Sequence, residues 1–426
     1  MNETASIGPK ARIGVAGMGV MGANLAANIE SRGFPVALWN LTPEKMDAFV
    51  QKESGRNYLP ARTDAQFIAS IERPRIILLM VTAGDPVDQT IERFLPLLDK
   101  GDILMDGGNT WYEDTTRRED RCRKMGIHFV GMGVSGGEEG ARNGPSLMPG
   151  GTAEAYRVIA PLLEAIAAKT ASGPCVTHVG KEGAGHFVKM VHNGIEYAQM
   201  QLIAESFDLL RRLSEWRLSE CADAFARWNE GPRASFLMEL TARVLRVKDE
   251  ATGNPLVDMV VDKAGQKGTG NWTIRAALSL GVAVPTIAAA VDARTLSSLK
   301  DDRRTLSLVY PTAPVLNISS EFGAAVRDAL LAAQIITWAQ GMNLITAASN
   351  KFQWGVRPAE IARIWKGGCI IRSALLDDIM QAFEENTDGL LSHDTFVRMM
   401  DDSITGLRVV VSSGAARGVP LPAFSS

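Results

Sequence analysis

Short apolar runs alternate with amphipathic stretches along the first part of the chain. The apolar runs lie at 12–16, 35–39, 75–81 and 102–105, and helical periodicity follows at 22–31 and 43–50. In the run at 75–81, RIILLMV, every residue after Arg75 is apolar, as a parallel strand buried on both faces requires. Strands that alternate with helices indicate right-handed βαβ units and a parallel sheet. We therefore predict an α/β domain at the start of the chain.

The pattern changes near residues 180–185. Strand-like runs fade from His186 onward, and apolar residues recur at helical spacing over 187–213, which is long for a helix of a globular protein. We therefore predict two domains, an α/β domain over 1–182 and a large all-helical domain over 183–426.

The helical part contains a candidate internal repeat. The segment FARWNEG at 225–231 resembles IARIWKGG at 361–368. The tryptophans Trp228 and Trp365 and the glycines Gly231 and Gly368 recur at the same separation along the chain, which is a weak indication of duplication.

Composition argues against several classes of function. The chain has 426 residues, 46% of them hydrophobic, and a net charge of −3, so no cationic field favours nucleic acid or an anionic membrane. The cysteines form no CxxC pair, which favours reduced thiols over a metal site; they are Cys122, Cys175, Cys221 and Cys369. No apolar run reaches the length of a membrane span, and residues 1–12 lack the core of a signal peptide. We expect a cytoplasmic protein with no metal, membrane or nucleic-acid partner.

A glycine motif follows the first predicted strand. Residues 17–22 read Gly17-Met18-Gly19-Val20-Met21-Gly22, a G-x-G-x-x-G pattern, and a predicted helix follows. In this frame the first glycine permits a tight turn, the second lets a pyrophosphate approach the backbone, and the third lets helix and strand pack closely. The helix N-terminus offers free N–H groups to the anion. The sequence therefore predicts a dinucleotide site in a Rossmann-like domain.

The end of the second predicted strand does not decide between NADP and NAD. It reads Trp39-Asn40-Leu41-Thr42, without the carboxylate that typically binds the ribose of NAD and without an arginine that would attract a 2′-phosphate. Both cofactors stay open from the residues alone.

Two glycine-rich segments are expected to be loops. Residues 131–151 contain eight glycines, a density typical of a loop whose backbone approaches a ligand. Residues 266–270, Gln-Lys-Gly-Thr-Gly, form a second, cationic loop in which Lys267 and Thr269 suit a phosphate. A flexible linker and a plain surface turn are the alternative interpretations.

One face of the long predicted helix carries four chemically different side chains. Lys189, His192, Asn193 and Glu196 are spaced i, i+3, i+4 and i+7, which places them on one side of a helix. Such a set is often a solvated surface held by side-chain pairs. Its position directly after a nucleotide-binding domain favours a ligand cleft.

Six ordered segments resemble the signature blocks of the 6-phosphogluconate dehydrogenase family. They are DGGN (106–109), GVSGGEEGAR (133–142), GPSLMPGG (144–151), GAGHFVKMVHNGIEY (183–197), AGQKGTGNW (264–272) and GGCIIRS (367–373). The resemblance extends over about residues 13–426. It implies a Rossmann-like domain followed by a large all-α domain for substrate binding and dimerisation, in a homodimer.

The resemblance also implies a reaction and its residues. Family members oxidise 6-phosphogluconate at C3 with NADP, release carbon dioxide and form ribulose 5-phosphate, a step of the pentose phosphate pathway. By the match of motifs, Lys189 resembles the general base and Glu196 the general acid. The residues that resemble substrate ligands are Asn109, Ser135, Gly136, Gly137, His192, Asn193, Tyr197, Lys267 and Arg294. Those that fall where the family holds the cofactor are Gly17, Met18, Gly19, Val20, Met21, Gly22, Asn40, Thr42, Val81, Ala83 and Asn109.

The chain departs from the family pattern at three places. Leu41 stands where the family usually has an arginine that contacts the 2′-phosphate, and Thr82 where it often has lysine. The sequence ends at Ser426, before a tail whose arginine and histidine reach the substrate of the neighbouring subunit in the family. We therefore expect NADP as cofactor with NAD tolerated.

Two other functions stay open at this stage. One is a related β-hydroxyacid dehydrogenase with another substrate, against which Lys267 and Arg294 argue because they suit a phosphate. The other is a weakly active dinucleotide-binding paralogue, which Leu41 and the early end of the sequence favour and the intact Lys189 and Glu196 oppose.

Overall fold

The protein divides into two compact units. The structure, a computed structural model, describes residues 10–214, 216–266, 268–310, 318, 322–385 and 389–426. The first unit comprises residues 1–189 and 349–369, and the second comprises 190–348 and 370–426. Residues 349–369 thus group with the α/β part, whereas the sequence pattern places them in the helical domain. The predicted domain boundary between residues 182 and 183 remains a prediction.

A seven-stranded sheet forms the centre of the first unit within the described residues. Its strands are β1 (Ile13–Ala16), β2 (Val36–Trp39), β3 (Tyr58–Pro60), β4 (Ile76–Leu79), β5 (Ile103–Asp106), β6 (His128–Ser135) and β7 (Ser146–Pro149). Their order is β3-β2-β1-β4-β5-β6-β7, and all neighbours are parallel except β6 and β7. This doubly wound order confirms the predicted Rossmann-like class.

Helices cover the sheet and connect its strands. Those of the first unit are α1 (Val20–Ser31), α2 (Pro43–Lys52), α3 (Asp64–Ala69), α4 (Asp85–Phe94), α5 (Tyr112–Lys124), α6 (Gly137–Asn143) and α7 (Ala153–Ile166). A short pair, β8 (Lys169–Thr170) and β9 (Gly173–Pro174), follows. Alternate residues of the central strands belong to two separate apolar clusters; in β4, Ile76 and Leu78 join one and Ile77 and Leu79 the other. The sheet is therefore buried on both faces, which explains its continuously apolar strands.

The glycine-rich stretch 131–151 is not a loop, contrary to the sequence prediction. It contains most of β6, all of α6 and all of β7. Its glycines permit close packing: a Cβ at Gly131 would lie 2.4 Å from Thr115 Cγ2, and one at Gly133 would lie 2.4 Å from Lys189 Cβ. Strand β7 pairs antiparallel with β6, because the ten residues between them are too few for the crossover that a parallel neighbour needs.

The second unit is helical, as predicted for this part of the chain. Its helices, with those that continue from or into the first unit, are α8 (Ala184–Leu213), α9 (Leu218–Trp228), α10 (Phe236–Val244), α11 (Leu256–Met259), α12 (Thr269–Leu280), α13 (Pro285–Ser297), α14 (Lys300–Val309), α15 (Phe322–Phe352), α16 (Pro358–Trp365), α17 (Leu375–Glu384) and α18 (Asp394–Ala416). Of these helices, α16 lies entirely in the first unit, and α8 and α15 each extend from one unit into the other. Single 3₁₀ turns lie at Leu95–Leu97, Gly231–Arg233 and Leu390–Ser392.

The predicted cationic loop at 266–270 is partly helical. Gly268 has a left-handed φ of 86° and caps α12, so Thr269 and Gly270 form the first turn of that helix. Glycine is required at such a cap because it adopts positive φ without steric cost. Lys267 lies outside the described residues.

Two further sequence expectations concern the membrane and the cysteines. Among the described residues, no helix combines the length and the apolar character needed to cross a bilayer. All four cysteines are buried and unbridged. Burial raises the pKa of the Cys122 thiol to about 12, so this sulfur is a poor nucleophile.

Glu119 on α5 is a partly buried carboxylate with a pH-dependent effect on stability. One of its oxygens has no hydrogen-bond partner among the described residues, and burial, followed by the Glu182 carboxylate, raises the pKa of this group to about 7. A folded-state pKa above the unfolded value of roughly 4.3 means that stability is greatest at low pH and is lost as the pH rises toward 7. We expect Glu119→Gln to raise the free energy of unfolding at pH 8 by about 1 kcal/mol, after allowance for screening by water.

Urea denaturation at pH 8 and pH 5 measures this effect. The gain should be clearly smaller at pH 5, where Glu119 is largely protonated in the folded protein. Glu164→Gln, at an exposed position of α7, is the matched control and should give no gain at either pH. An equal gain at both values would contradict the assigned cause.

Candidate functional site

The carboxyl ends of four strands of the first unit lie side by side. Ala16 at the end of β1 pairs with Trp39 of β2 and with Leu79 of β4, and Leu79 pairs with Asp106 of β5. The segments that follow these strands therefore emerge at one edge of the sheet. They contain the predicted cofactor residues 17–22, Asn40, Thr42, Val81, Ala83 and Asn109. Strand order reverses between β1 and β4, and ligands of open α/β sheets bind at such a switch point.

The glycines of the first strand–helix turn each meet a different steric demand. Gly17 has a φ of 106°, and a Cβ there would lie 2.4 Å from the Met80 carbonyl oxygen. A Cβ at Gly22 would lie 1.9 Å from the Gly17 carbonyl oxygen, whereas the space beside Gly19 is open. Gly19 is also the N-cap of α1 and provides no side-chain cap. The turn thus offers backbone N–H groups and free space to a phosphate, which fits a dinucleotide.

Asn40 holds the loop that follows β2. Its Oδ1 accepts a hydrogen bond from the Met18 N–H at 2.8 Å, and its Nδ2 donates to the Thr42 carbonyl at 2.7 Å. This side chain therefore connects the glycine turn to the segment at which the adenine ribose of a dinucleotide would bind. Leu41, between Asn40 and Thr42, is 73% exposed, and its side chain has no polar atom that could contact the ribose.

Lys189 packs against strand β6 of the first unit at a position where a glycine leaves room for it. It is buried, and its Cβ lies where a side chain at Gly133 would have to be. Ser135 is two residues further along β6, on the same face of the strand, and is also buried. Gly136 and Gly137 follow with φ values of 120° and 62°, so the backbone turns there in a way that favours glycine. The sequence predictions at Lys189, Ser135, Gly136 and Gly137 thus fall on adjoining parts of one unit.

A buried polar network next to these residues was missed by the sequence analysis. The carboxylate of Asp106 accepts hydrogen bonds from the Gly108 N–H at 3.0 Å and from the Thr110 hydroxyl at 2.7 Å. Arg118 on α5 donates to both carboxylate oxygens of Asp88 and, at 3.0 Å, to the Gly84 carbonyl. A single charged residue at the end of an apolar strand, Asp106 after ILM, is the signal that could have indicated this network.

Three predicted site residues of the second unit lie close together on α8: His192 and Asn193 are adjacent, and Glu196 follows about one turn later. His192 is fully buried; its Nδ1 is 3.1 Å from Asn193 Oδ1 and 3.8 Å from Glu196 Oε2. The Asn193 amide donates to the Thr269 hydroxyl at 3.0 Å, so it faces the first turn of α12. Gly194 permits this approach, because a Cβ there would lie 2.9 Å from Thr273 Cγ2. Imidazole, amide and carboxylate are thereby grouped on the part of α8 that faces the first turn of α12.

Tyr197 and Arg294 are in direct contact. The Arg294 guanidinium carbon lies 3.7 Å from the centroid of the Tyr197 ring, and Nη1 donates to the Gly265 carbonyl at 2.7 Å. A stacked, planar guanidinium is well oriented to bind an oxyanion in two-point fashion. Arg294 therefore lies next to Gly265 and beside Tyr197, the residue that follows Glu196 on α8.

The fold and the strand-end site define a dinucleotide-binding oxidoreductase. Comparison with known proteins makes this specific. Residues 12–180 match the profile described as the NAD binding domain of 6-phosphogluconate dehydrogenase, and residues 185–426 match its C-terminal domain. The chain belongs to the 6-phosphogluconate dehydrogenase family.

Individual relatives agree over almost the whole chain. "6-phosphogluconate dehydrogenase, decarboxylating" of Synechococcus elongatus is 49% identical over 423 residues, which cover 97% of this chain and 90% of the relative. The NADP(+)-dependent, decarboxylating enzyme of Bacillus subtilis is 49% identical over 422 residues, with 98% and 90% covered. The solved 6-phosphogluconate dehydrogenase of Plasmodium falciparum, described in complex with its cofactor NADP+ and with its substrate 6-phosphogluconate, is 39% identical. It covers 97% of this chain, is itself covered to 90%, and has a TM-score of 0.94.

Proposed function

We propose that the chain oxidises 6-phosphogluconate at C3, releases carbon dioxide and forms ribulose 5-phosphate, with NADP as the oxidant, in the pentose phosphate pathway. The observation that carries the proposal is the similarity, at 49% identity over 97–98% of this chain, to relatives named decarboxylating and, in one case, NADP(+)-dependent. The proposal assigns roles in this reaction to the dinucleotide turn, Lys189, His192, Asn193 and Glu196.

The cofactor is assigned to the edge formed by the ends of β1, β2, β4 and β5. The turn 17–22 would hold the pyrophosphate through backbone N–H groups. Asn40 and Thr42 would lie at the adenine ribose, and Val81, Ala83 and Asn109 would lie along the remainder of the molecule. When bound, NADP supplies the hydride acceptor of the reaction.

Lys189 is assigned as general base. Oxidation at C3 requires that the C3 hydroxyl lose its proton, so a base must lie within hydrogen-bond reach of that oxygen. A buried lysine that is neutral when substrate binds can accept this proton. The 3-keto acid that results loses its carboxylate as carbon dioxide, because the ketone accepts the electron pair of the broken bond.

Glu196 is assigned as general acid for the second half of the reaction. The enediol left after loss of carbon dioxide needs a proton at C1, and a carboxylic acid can donate it. His192, Asn193, Asn109, Ser135, Gly136 and Gly137 are assigned to the hydroxyl and carboxylate groups of the substrate. Tyr197, Lys267 and Arg294 are assigned to its phosphate, because a cation stacked on an aromatic ring is held in position for a charge-assisted contact.

A coupled measurement tests the proposed reaction. Purified protein is incubated with 6-phosphogluconate and NADP, and NADPH formation and carbon dioxide release are recorded together. We expect equal amounts of both products. NADPH without carbon dioxide would indicate a plain β-hydroxyacid dehydrogenase, and turnover of unphosphorylated gluconate at a similar rate would contradict the phosphate assignment.

The proposal also includes a cytoplasmic location and a homodimer. Several large apolar side chains of the second unit are exposed in the single chain, among them Leu278 at 78% on α12 and Leu308 at 81% on α14. Exposed apolar side chains that cluster into one patch typically mark a protein–protein interface. Light scattering of the purified chain should give twice the mass of 45.9 kDa.

Cofactor preference provides a further prediction at Leu41. This side chain can neither donate a hydrogen bond nor stack on adenine, whereas no carboxylate repels a 2′-phosphate. We therefore expect weak discrimination, with NADP preferred and NAD tolerated. Leu41→Arg should increase the preference for NADP by about tenfold or more, which is the effect of one charge-assisted contact.

The measurement is the ratio of kcat/KM for NADP to kcat/KM for NAD in both proteins. Leu41→Gln is the matched control, because it adds polarity without charge and should shift the ratio much less. A wild-type ratio already in the thousands would mean that another residue contacts the 2′-phosphate of NADP. The next residue to test would then be Lys45, one turn into α2.

A further inference from the structure

A buried histidine connects two parts of the first unit that carry proposed site residues. His186 on α8 is 2% exposed. Its Nε2 is 3.1 Å from the Asp106 carbonyl oxygen, and its Nδ1 is 2.7 Å from the Thr115 hydroxyl on α5. These contacts join residues 80 and 71 positions apart in the sequence. Gly131 makes room for the ring, since a Cβ there would lie 2.8 Å from Nδ1.

The partners determine which nitrogen carries the proton. The Asp106 carbonyl oxygen only accepts hydrogen bonds, so Nε2 must donate. Burial lowers the pKa of the His186 imidazole, which is therefore neutral, and Nδ1 is then an acceptor. The Thr115 hydroxyl donates to it. Both ring nitrogens are used, and the ring has one orientation.

The two ends of this connection lead to proposed site residues. The Asp106 peptide is followed by Gly107, Gly108 and Asn109, the last of which is assigned to both substrate and cofactor. His186 precedes Lys189 by three residues, which places both on the same side of α8 about one turn apart. Asp106 itself is held by Gly108 and Thr110 through its carboxylate. A displacement of the His186 ring would therefore move the Asn109 loop relative to the proposed base.

We infer that His186 is a positioning residue that keeps the Asn109 loop in register with the helical turn of Lys189. This inference rests on the proposed function. His186 does not contact substrate in this role; it acts through the Asp106 carbonyl and the fixed orientation of its ring.

Two pairs of variants test the inference. His186→Leu removes both hydrogen bonds, whereas the carboxamide N–H of His186→Gln can still donate to the Asp106 carbonyl. Thr115→Val removes the hydroxyl that orients the ring, whereas Thr115→Ser retains it. This second pair of variants is the milder test if His186→Leu folds poorly. We expect the leucine and valine variants to lower kcat and weaken NADPH binding by about tenfold or more, because each loses at least one buried hydrogen bond. The glutamine and serine variants should stay within about threefold of wild type.

Coupling to Asn109 distinguishes positioning from general stability. In an Asn109→Ala background, His186→Leu should have little further effect on NADPH binding or kcat, because the residue it positions is gone. Additive effects in this double-mutant cycle would overturn the inference. So would variants whose melting temperature falls while kcat and NADPH affinity stay at wild-type values, or equal losses in the leucine and glutamine variants.

Failure of the proposed function can be distinguished from failure of this inference. NADPH binding by fluorescence needs no 6-phosphogluconate, and wild-type turnover is measured first.

The chain has five histidines, so ¹⁵N-histidine NMR spectra are simple enough to assign. His186 should give the signal of a neutral ring protonated at Nε2, and Thr115→Val should shift its Nδ1 resonance. A signal of the Nδ1-protonated form would overturn the geometry on which the inference stands.

Discussion

Lys189→Met is expected to abolish nearly all turnover while leaving the fold and dinucleotide binding unchanged. Methionine has similar length and suits the buried position above Gly133, but it cannot accept a proton. General base catalysis contributes roughly 10²- to 10⁴-fold to a rate, so a loss of this size in kcat is expected. The dinucleotide turn at 17–22 is formed by other elements and should bind NADPH as before.

The measurement compares kcat, the dissociation constant for NADPH and the melting temperature of variant and wild type. Lys181→Met, the same change at an exposed position just before α8, is the matched control and should keep full activity. Lys189→Arg keeps a cation in place but is effectively always protonated, so it too should be inactive. Wild-type turnover in the methionine variant would mean that a different group accepts the C3 proton.

Removal of the Arg294 side chain is expected to raise KM for 6-phosphogluconate by roughly 10- to 100-fold, since a hydrogen bond to a charged group contributes about 1.5–3 kcal/mol. The guanidinium is held over Tyr197 and by the Gly265 carbonyl, so it is oriented before substrate arrives. Lys267→Ala should act in the same direction if both cations bind one phosphate. In both variants kcat should change much less than KM, because the phosphate is remote from C3.

Two further variants make the phosphate assignment specific. Arg294→Lys retains the charge but loses the planar donor pair, so its KM should lie between wild type and Arg294→Ala. Arg243→Ala, at a position whose side chain is 71% exposed, is the control for a general loss of positive charge and should leave KM unchanged. Unchanged KM in both Arg294→Ala and Lys267→Ala would place the phosphate elsewhere.

Local sequence pattern was sufficient to predict several features of this protein. Continuous apolar runs predicted the central strands because a doubly covered sheet needs them, and glycines 17, 19 and 22 predicted the turn because each has a local steric role. The spacing of Lys189, His192, Asn193 and Glu196 predicted one helix, and α8 contains all four. Ordered motifs such as HFVKMVHNGIEY indicated the family.

Features that depend on contacts between residues remote in sequence could not be predicted from local pattern. The glycines of 131–151 predicted a loop from composition, yet Gly131 and Gly133 lie in a strand because Thr115, His186 and Lys189 pack against them. Segment 349–369 belongs to the first unit although its pattern is helical. The link from Asp106 through His186 to Thr115 joins separate elements by hydrogen bonds. Periodicity reports the local conformation of a segment, whereas close approach through a missing Cβ and hydrogen bonds across the fold arise only when distant segments meet.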